Sequence, residues 1–255
     1  MPTSAGQALL DTFECVRIIN LRHRKDRRAE IASELARLGL GIDGRRIAFH
    51  DACKPEDAGA FPSIGARGCF TSHFDILADA HATGARNVLI LEDDLDFAPD
   101  AETRLPLTLA LLNAKGWSIF YGGYENHAGP ADGALLSFAQ PAEGIRTTHF
   151  LALARNAIEA AIPYLKAMSE RPAGDPAGGP MHVDGAYSWL RRDHPELTTW
   201  LAKPVLGHQR PSRTDIHEVG LIDRTPVLRD LAGIARRIKR HSSRARKQIS
   251  SIYRT

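Results

Sequence analysis

The sequence predicts an α/β domain built on a mostly parallel central sheet. Two observations carry that expectation. Short β-branched apolar runs alternate with helical periods through the first hundred residues, and the clearest of those runs, Asn87 to Leu91, is long enough only for a buried strand. Cys15 to Leu21 (CVRIINL) reads as the first strand, ended by polar residues. Lys25 to Leu38 then places Ile31, Leu35 and Leu38 on one helical face, and Gly39 stops it. Arg46 to Phe49 is a second strand. Pro55, Gly59 and Pro62 make a loop of residues 51 to 65. Gly68 to Thr83 is helical, with Phe70, Phe74, Leu77 and Ala78 along one side, so Gly68 to His73 is expected at a helix start. Strand, helix, strand, helix, strand in so short a span calls for right-handed crossovers and parallel pairing.

The second half is less regular. Strands are expected at 117–121 and 147–153, flanking a Gly- and Pro-containing loop at 122–144. A helix follows from Asn156 to Met168, then the long loop SERPAGDPAGGP, a short helix from Val183 to Arg192, and an extended segment around Pro204. No internal repeat is visible.

Composition narrows the class. The 255 residues are 43% hydrophobic and 25% charged, ordinary for a globular chain of one α/β domain with an appendage. No run approaches the roughly 18 apolar residues of a spanning helix. The opening MPTSAGQALLDTFECV has no basic stretch ahead of an apolar one, so no signal peptide is expected and the chain reads as soluble or peripheral. Cys15, Cys53 and Cys69 are odd in number, far apart and without a C-x-x-C pair. That argues against a disulfide framework or a structural zinc site and suits a reducing cytoplasm, each thiol being a small buried apolar group.

The net charge of +3 hides a split. From Arg229 onward nine Lys/Arg face a single acid, Asp230, giving +8; residues 1–228 hold 24 basic and 29 acidic residues, giving −5. Residues 226–255 therefore form a separate basic segment behind a domain spanning 1–225. Its apolar positions, Leu228, Leu231, Ile234, Ala235, Ile238, Ala245, Ile249 and Ile252, mostly recur every three or four residues. A basic amphipathic helix of this kind suits an anionic membrane surface, or packs its stripe on the domain. Nucleic acid is not expected, because the body is acidic and lacks a basic platform rich in aromatics.

The strongest local signal is Val88-Leu89-Ile90-Leu91-Glu92-Asp93-Asp94-Leu95-Asp96. In an open parallel sheet, ligands bind at the carboxyl ends of strands, where these acids would sit. Crowded carboxylates repel one another, and a hard divalent cation with oxygen ligands relieves the repulsion while keeping positions open for phosphates. The alternative is an acidic turn that caps the next element.

Several blocks together resemble glycosyltransferase family 25, the lipopolysaccharide-biosynthesis type. They are Ile18 to Leu21 followed by Lys25-Asp26-Arg27-Arg28; Gly68-Cys69-Phe70-Thr71-Ser72-His73; Leu91 to Leu95; THFLALARNA at 148–157; Val183-Asp184; and Gln209 with Ser212. They run in family order over residues 16 to about 216. Two departures stand out: Ala66-Arg67 where the family has Glu, and Asn156-Ala157 in place of Gly-Ala.

The resemblance implies a GT-A type, Rossmann-like fold and transfer of a hexose, galactose ahead of glucose or N-acetylglucosamine, from a UDP-sugar with inversion. The acceptor it implies is a lipopolysaccharide- or lipooligosaccharide-type glycan or glycolipid, met at the inner face of the membrane by a peripheral cytoplasmic enzyme. It implies Mn²⁺ or Mg²⁺, with Asp94 as the direct ligand and Glu92 and Asp93 facing the ribose and donor sugar. Asn20, Arg27 and Gln209 are further donor-side candidates, and Asp96, His73, His208 and Ser212 are secondary ones. Asp184 is the candidate base that takes the acceptor proton; its bland alternative is an N-cap. Arg28, like Arg27, is placed to contact phosphates from the first βα region, a solvated helix face accounting for at least one of the two, and His73 reads as a hydrogen-bonded structural residue ahead of a metal ligand. Two other classes stay open at this stage: a non-catalytic sugar-nucleotide or glycan-binding relative, and a Mg²⁺-dependent phosphotransfer enzyme.

Overall fold

A computed structural model describes residues 3–125 and 133–210. Part of the loop expected at 122–144, Ser212, the boundary at 225 and the basic tail at 226–255 lie outside the described residues.

The elements run α1 (Ala5–Thr12), β1 (Cys15–Asn20), α2 (Lys25–Arg37), β2 (Ile47–Asp51), α3 (Ile64–Ala82), β3 (Asn87–Glu92), β4 (Leu95–Phe97) and α4 (Ala101–Lys115). After them come β5 (Ile119–Glu125), β6 (Leu136–Phe138), β7 (Arg146–Ala154), α5 (Arg155–Glu170), α6 (Val183–Asp193), β8 (Thr199–Ala202) and β9 (Gly207–Gln209). Seven strands form one sheet in the order β2-β1-β3-β7-β5-β8-β6, and β4 pairs with β9 in a small second sheet. β2, β1 and β3 are parallel, β7 runs against β3 and β5, and β8 lies parallel to β5 with β6 against it. Five of the seven strands thus share a direction, as expected of a mostly parallel central sheet.

Alternation along the strands divides the core in two. Val16, Ile18, Leu89 and Leu91 pack with Leu9 of α1, Ile31 and Leu35 of α2, and Leu105 and Leu109 of α4. Ile19, Val88 and Ile90 pack on the other face with Phe70 and Leu77 of α3, Ile158 and Leu165 of α5, and Tyr187 and Leu190 of α6. Both faces of the sheet are covered, which is why its central strands are continuously apolar. Val88, Leu89, Ile90 and Leu91 are each 0% exposed. Burial of such side chains stabilises by about 1.5–3 kcal/mol apiece, so β3 is a rigid mount for the acids that follow it.

Three expectations need correction. α3 begins at Ile64, because the Ser63 hydroxyl accepts the Ala66 amide at 3.0 Å and caps it. Gly68 to His73 therefore lies inside the helix rather than at its start. Gly68 is needed there: a Cβ would sit 2.5 Å from the Cys53 carbonyl oxygen. β5 extends through Gly122 and Gly123 to Glu125, where a loop is expected. Finally, Asp184 is not an N-cap, since His182 holds that position and Asp184 is the second helical residue. Among the described residues, no helix is long and apolar enough to cross a membrane.

Candidate functional site

Parallel pairing sets Ile19 opposite Glu92, so the carboxyl ends of β1 and β3 lie side by side. Asn20 and Asp93, one step further along, then meet. The Asn20 amide donates to Asp93 Oδ2 at 2.6 Å, while its carbonyl accepts the Arg28 Nε–H at 2.6 Å. Arg27 Nη1 donates to Asp93 Oδ1 at 2.7 Å and stands 3.5 Å from Asp94 Oδ2. A helix N-terminus is an unfavourable place for two guanidinium groups; the neighbouring carboxylates offset this. Arg28 turns the other way, donating to Asp51 at 2.6 Å and lying over the Phe49 ring at 4.5 Å. Arg27 thus serves the acidic end, and Arg28 ties α2 to β2.

Antiparallel β7 brings Thr148 to the same end, and its hydroxyl donates to Glu92 Oε1 at 2.8 Å. From the opposite side, β9 places Gln209 with Nε2 3.4 Å from Asp94 Oδ2, and the Arg210 amide donates to the Asp94 carbonyl at 2.6 Å. Asp94 is 3% exposed, and its Oδ1 has no hydrogen-bond partner. Burial first, then the negative charge of Asp94, pushes the Glu92 carboxyl up to about 8. Burial likewise raises Asp94 to about 6, with Arg27 opposing and Asp93 adding to the rise. Asp96 belongs elsewhere: Arg210 donates to it at 2.8 and 2.6 Å and also pairs with Glu30, fastening β9 to α2. His208 lies opposite Asp96 in the β4–β9 register, with its side chain exposed.

The third wall comes from α3, α6 and the start of β7. Asp184 Oδ2 accepts the Thr147 amide at 3.1 Å, and Oδ1 accepts the amide of Gly185 at 2.8 Å. Thr147 holds a left-handed φ of 66°, unusual for a β-branched residue. Its hydroxyl is 3.1 Å from His149 Nδ1, and His149 Nε2 is 3.3 Å from the Gly207 carbonyl. Burial drives His149 down to about 4, so it is neutral. A Cβ at Gly123 would collide with the His149 ring and approach the Gly207 carbonyl. His73 is fully buried, with Nδ1 3.2 Å from the Tyr187 hydroxyl, while Ser72 accepts the Cys53 amide at 2.9 Å.

The structure accordingly gathers Asn20, Arg27, Glu92, Asp93, Asp94 and Gln209 into one network, and the charge of Asp184 reaches Glu92. Thr148, Thr147, His149 and Arg210 were not singled out by the sequence. Thr148 and His149 lie within the THFLALARNA block, which was their only signal; Arg210 had none beyond its place after Gln209. The donor set fits a hard divalent cation. Its carboxylates outnumber the guanidinium groups committed to them, and one buried oxygen is unsatisfied.

Over part of its length the chain is similar in sequence to a glycosyltransferase. No family model matches it. The resemblance to glycosyltransferase family 25 stands on a curated relative, a glycosyltransferase 25 family member of Aedes aegypti. That protein is 31% identical over 126 residues, covering 42% of this chain and 20% of the relative. The chain thus spans about a fifth of that protein's length. Among solved structures, a glycosyltransferase involved in glycosylating the major capsid of PBCV-1 aligns with a TM-score of 0.47 and 14% identity, over 78% of this chain and 94% of that one. A197 from STIV aligns with a TM-score of 0.37 and 8% identity, over 81% and 98%.

Proposed function

We propose that this chain is a divalent-cation-dependent, inverting glycosyltransferase. It moves a hexose, galactose by family resemblance, from a UDP-sugar to a lipopolysaccharide- or lipooligosaccharide-type glycan. The observation that supports this reading best is Asp94: a buried carboxylate at the carboxyl end of the central strand, with Oδ1 unpartnered. Asp94 would hold Mn²⁺ or Mg²⁺, with Glu92 and Asp93 beside it. Bound there, the cation would supply positive charge to offset the negative charge of a departing diphosphate.

The chain's own residues do the rest. Asn20 and Arg27 fix Asp93 from both sides and so orient the donor-facing acids. Gln209 restrains Asp94 Oδ2. Asp184, oriented by the Thr147 and Gly185 amides, takes the proton of the acceptor hydroxyl as that oxygen attacks the anomeric carbon and UDP departs on the far side. His73 and His208 have no step in this scheme, and Asp96 serves it only by holding β9. The basic tail, 226–255, would carry the enzyme to an anionic inner leaflet, each basic residue near the surface adding roughly 1 kcal/mol.

Calorimetric titration of UDP tests the donor site. Affinity should depend on Mn²⁺ in the natural chain and lose that dependence in Asp94→Asn; UDP binding indifferent to Mn²⁺ in both would sink the assignment. Asp184→Asn should retain UDP and Mn²⁺ while turnover with a productive UDP-sugar falls by about 10²–10⁴. Near-normal turnover removes Asp184 as base.

A further inference from the structure

Cys69 and His73 are four residues apart on α3, hence one turn apart on a single face. That face meets the end of β3. The Cys69 sulfur, a ring nitrogen of His73 and a carboxylate oxygen of Glu92 all lie within 4.8 Å of one another. His73 is 0% exposed, and its Nε2 has no hydrogen-bond partner although Nδ1 is at the Tyr187 hydroxyl. A buried polar atom left unsatisfied is destabilising, and none of the roles described above uses this one. The Cys69 thiol is half-buried and free of any disulfide.

We propose that Cys69, His73 and Glu92 form a second metal site, for a thiophilic divalent cation such as Zn²⁺. Sulfur, imidazole nitrogen and one carboxylate are the ligand types zinc selects, in contrast to the carboxylate oxygens that Asp93 and Asp94 offer. Three protein ligands leave a fourth position for water. On binding, Cys69 ligates as the thiolate and Glu92 as the carboxylate, and the protons they held pass to solvent. The helical Cys/His pair arrives preorganised, since both residues stand on one rigid turn; Glu92 completes the set from the strand. If the donor reading above holds, Zn²⁺ also inhibits transfer by withdrawing Glu92; the site itself does not depend on that reading.

Cobalt makes the site visible. Titrated into the full chain, Co²⁺ should give a thiolate-to-metal charge-transfer band with tetrahedral visible bands, and one equivalent of Zn²⁺ should erase both. Cys69→Ser should lose the thiolate band and weaken Zn²⁺ by more than about 100-fold, beyond the loss of an outer-shell partner. Asp94→Asn should keep the band. The Cys15→Ala/Cys53→Ala variant, which leaves Cys69 as the single thiol, should keep it too, and it answers the question if Cys69→Ser does not fold. Absence of a thiolate band in the natural chain, or its persistence in folded Cys69→Ser, overturns the proposal. Failure to turn over any nucleotide sugar with the cobalt band intact would count against the glycosyltransferase reading alone.

Discussion

Asp93 and Asp94 are neighbours in sequence and buried alike, at 6% and 3% exposure, yet they sit in opposite circumstances. Asp93 has a donor on each oxygen, from Asn20 and Arg27, within a network that continues through Arg28 to Asp51. Asp94 keeps one oxygen without a partner and, with Glu92, is pushed toward protonation. Buried polar groups in folded chains are as a rule satisfied, and networks gain rigidity by being complete. The β1–α2 side is therefore scaffold. The unpartnered oxygen of Asp94 is ligating capacity that the fold leaves unspent, and it is there that we propose a ligand binds.

The sharpest way to break this contrast is a pair of substitutions compared in the absence of metal. Asp93→Ala removes one carboxylate partner of the buried Arg27 guanidinium and the acceptor of the Asn20 amide, and should destabilise the fold by about 1–3 kcal/mol in urea denaturation. Asp94→Asn removes a charge that its surroundings already disfavour, and should change stability by less than about 1 kcal/mol. Comparable losses in the two variants would erase the distinction.

A smaller effect should appear with pH. The folded chain raises Glu92 from 4.5 to about 8 and Asp94 from 3.8 to about 6. It therefore holds protons that the unfolded chain has released, and stability present below pH about 4 is lost as pH climbs through about 6 and about 8. A bound divalent cation opposes that loss. The rise in melting temperature caused by Mn²⁺ should thus be larger above pH about 8 than below pH about 5; an equal rise at both would detach the metal from these acids. The smallest effect concerns Thr147. Asparagine tolerates the left-handed region better than a β-branched residue does, so Thr147→Asn should stabilise the fold by up to about 1 kcal/mol. A lowered melting temperature would mean that the hydroxyl contact with His149 outweighs the backbone strain.

Much of this was legible along the chain, for reasons that differ by residue. β3 stood out because four consecutive residues are buried on both faces of the sheet, and the acids after it because such a run ends at a ligand-binding edge. The beginning of α3 was hidden: its cap, Ser63, follows a segment rich in Pro and Gly, and its apolar face starts only at Phe70. α4 escaped because LPLTLALL is apolar on too many sides to show a helical period, and Pro106 lies in its second turn. β4, β6 and β9 are three residues each, too short for any pattern. Within the site, Asn20, Arg27 and Asp94 could be placed by their positions at strand and helix ends. The contacts of Thr148 with Glu92 and of Thr147 with Asp184 join residues 56 and 37 apart, and only the packing of β7 beside β3 and α6 creates them.

Gly123 shows how far such packing reaches. It carries no functional group, but its missing side chain lets the His149 ring pass close to β5 and meet the Gly207 carbonyl. Gln209 and Arg210, which hold Asp94 and Asp96, lie just two and three residues beyond Gly207. A single added methyl at position 123 would press on that ring and shift the strand that borders the acids. Mutational tolerance in this molecule is therefore not ranked by polarity: a survey of charged residues alone would overlook a position where alanine, the mildest of replacements, disturbs the far wall of the site.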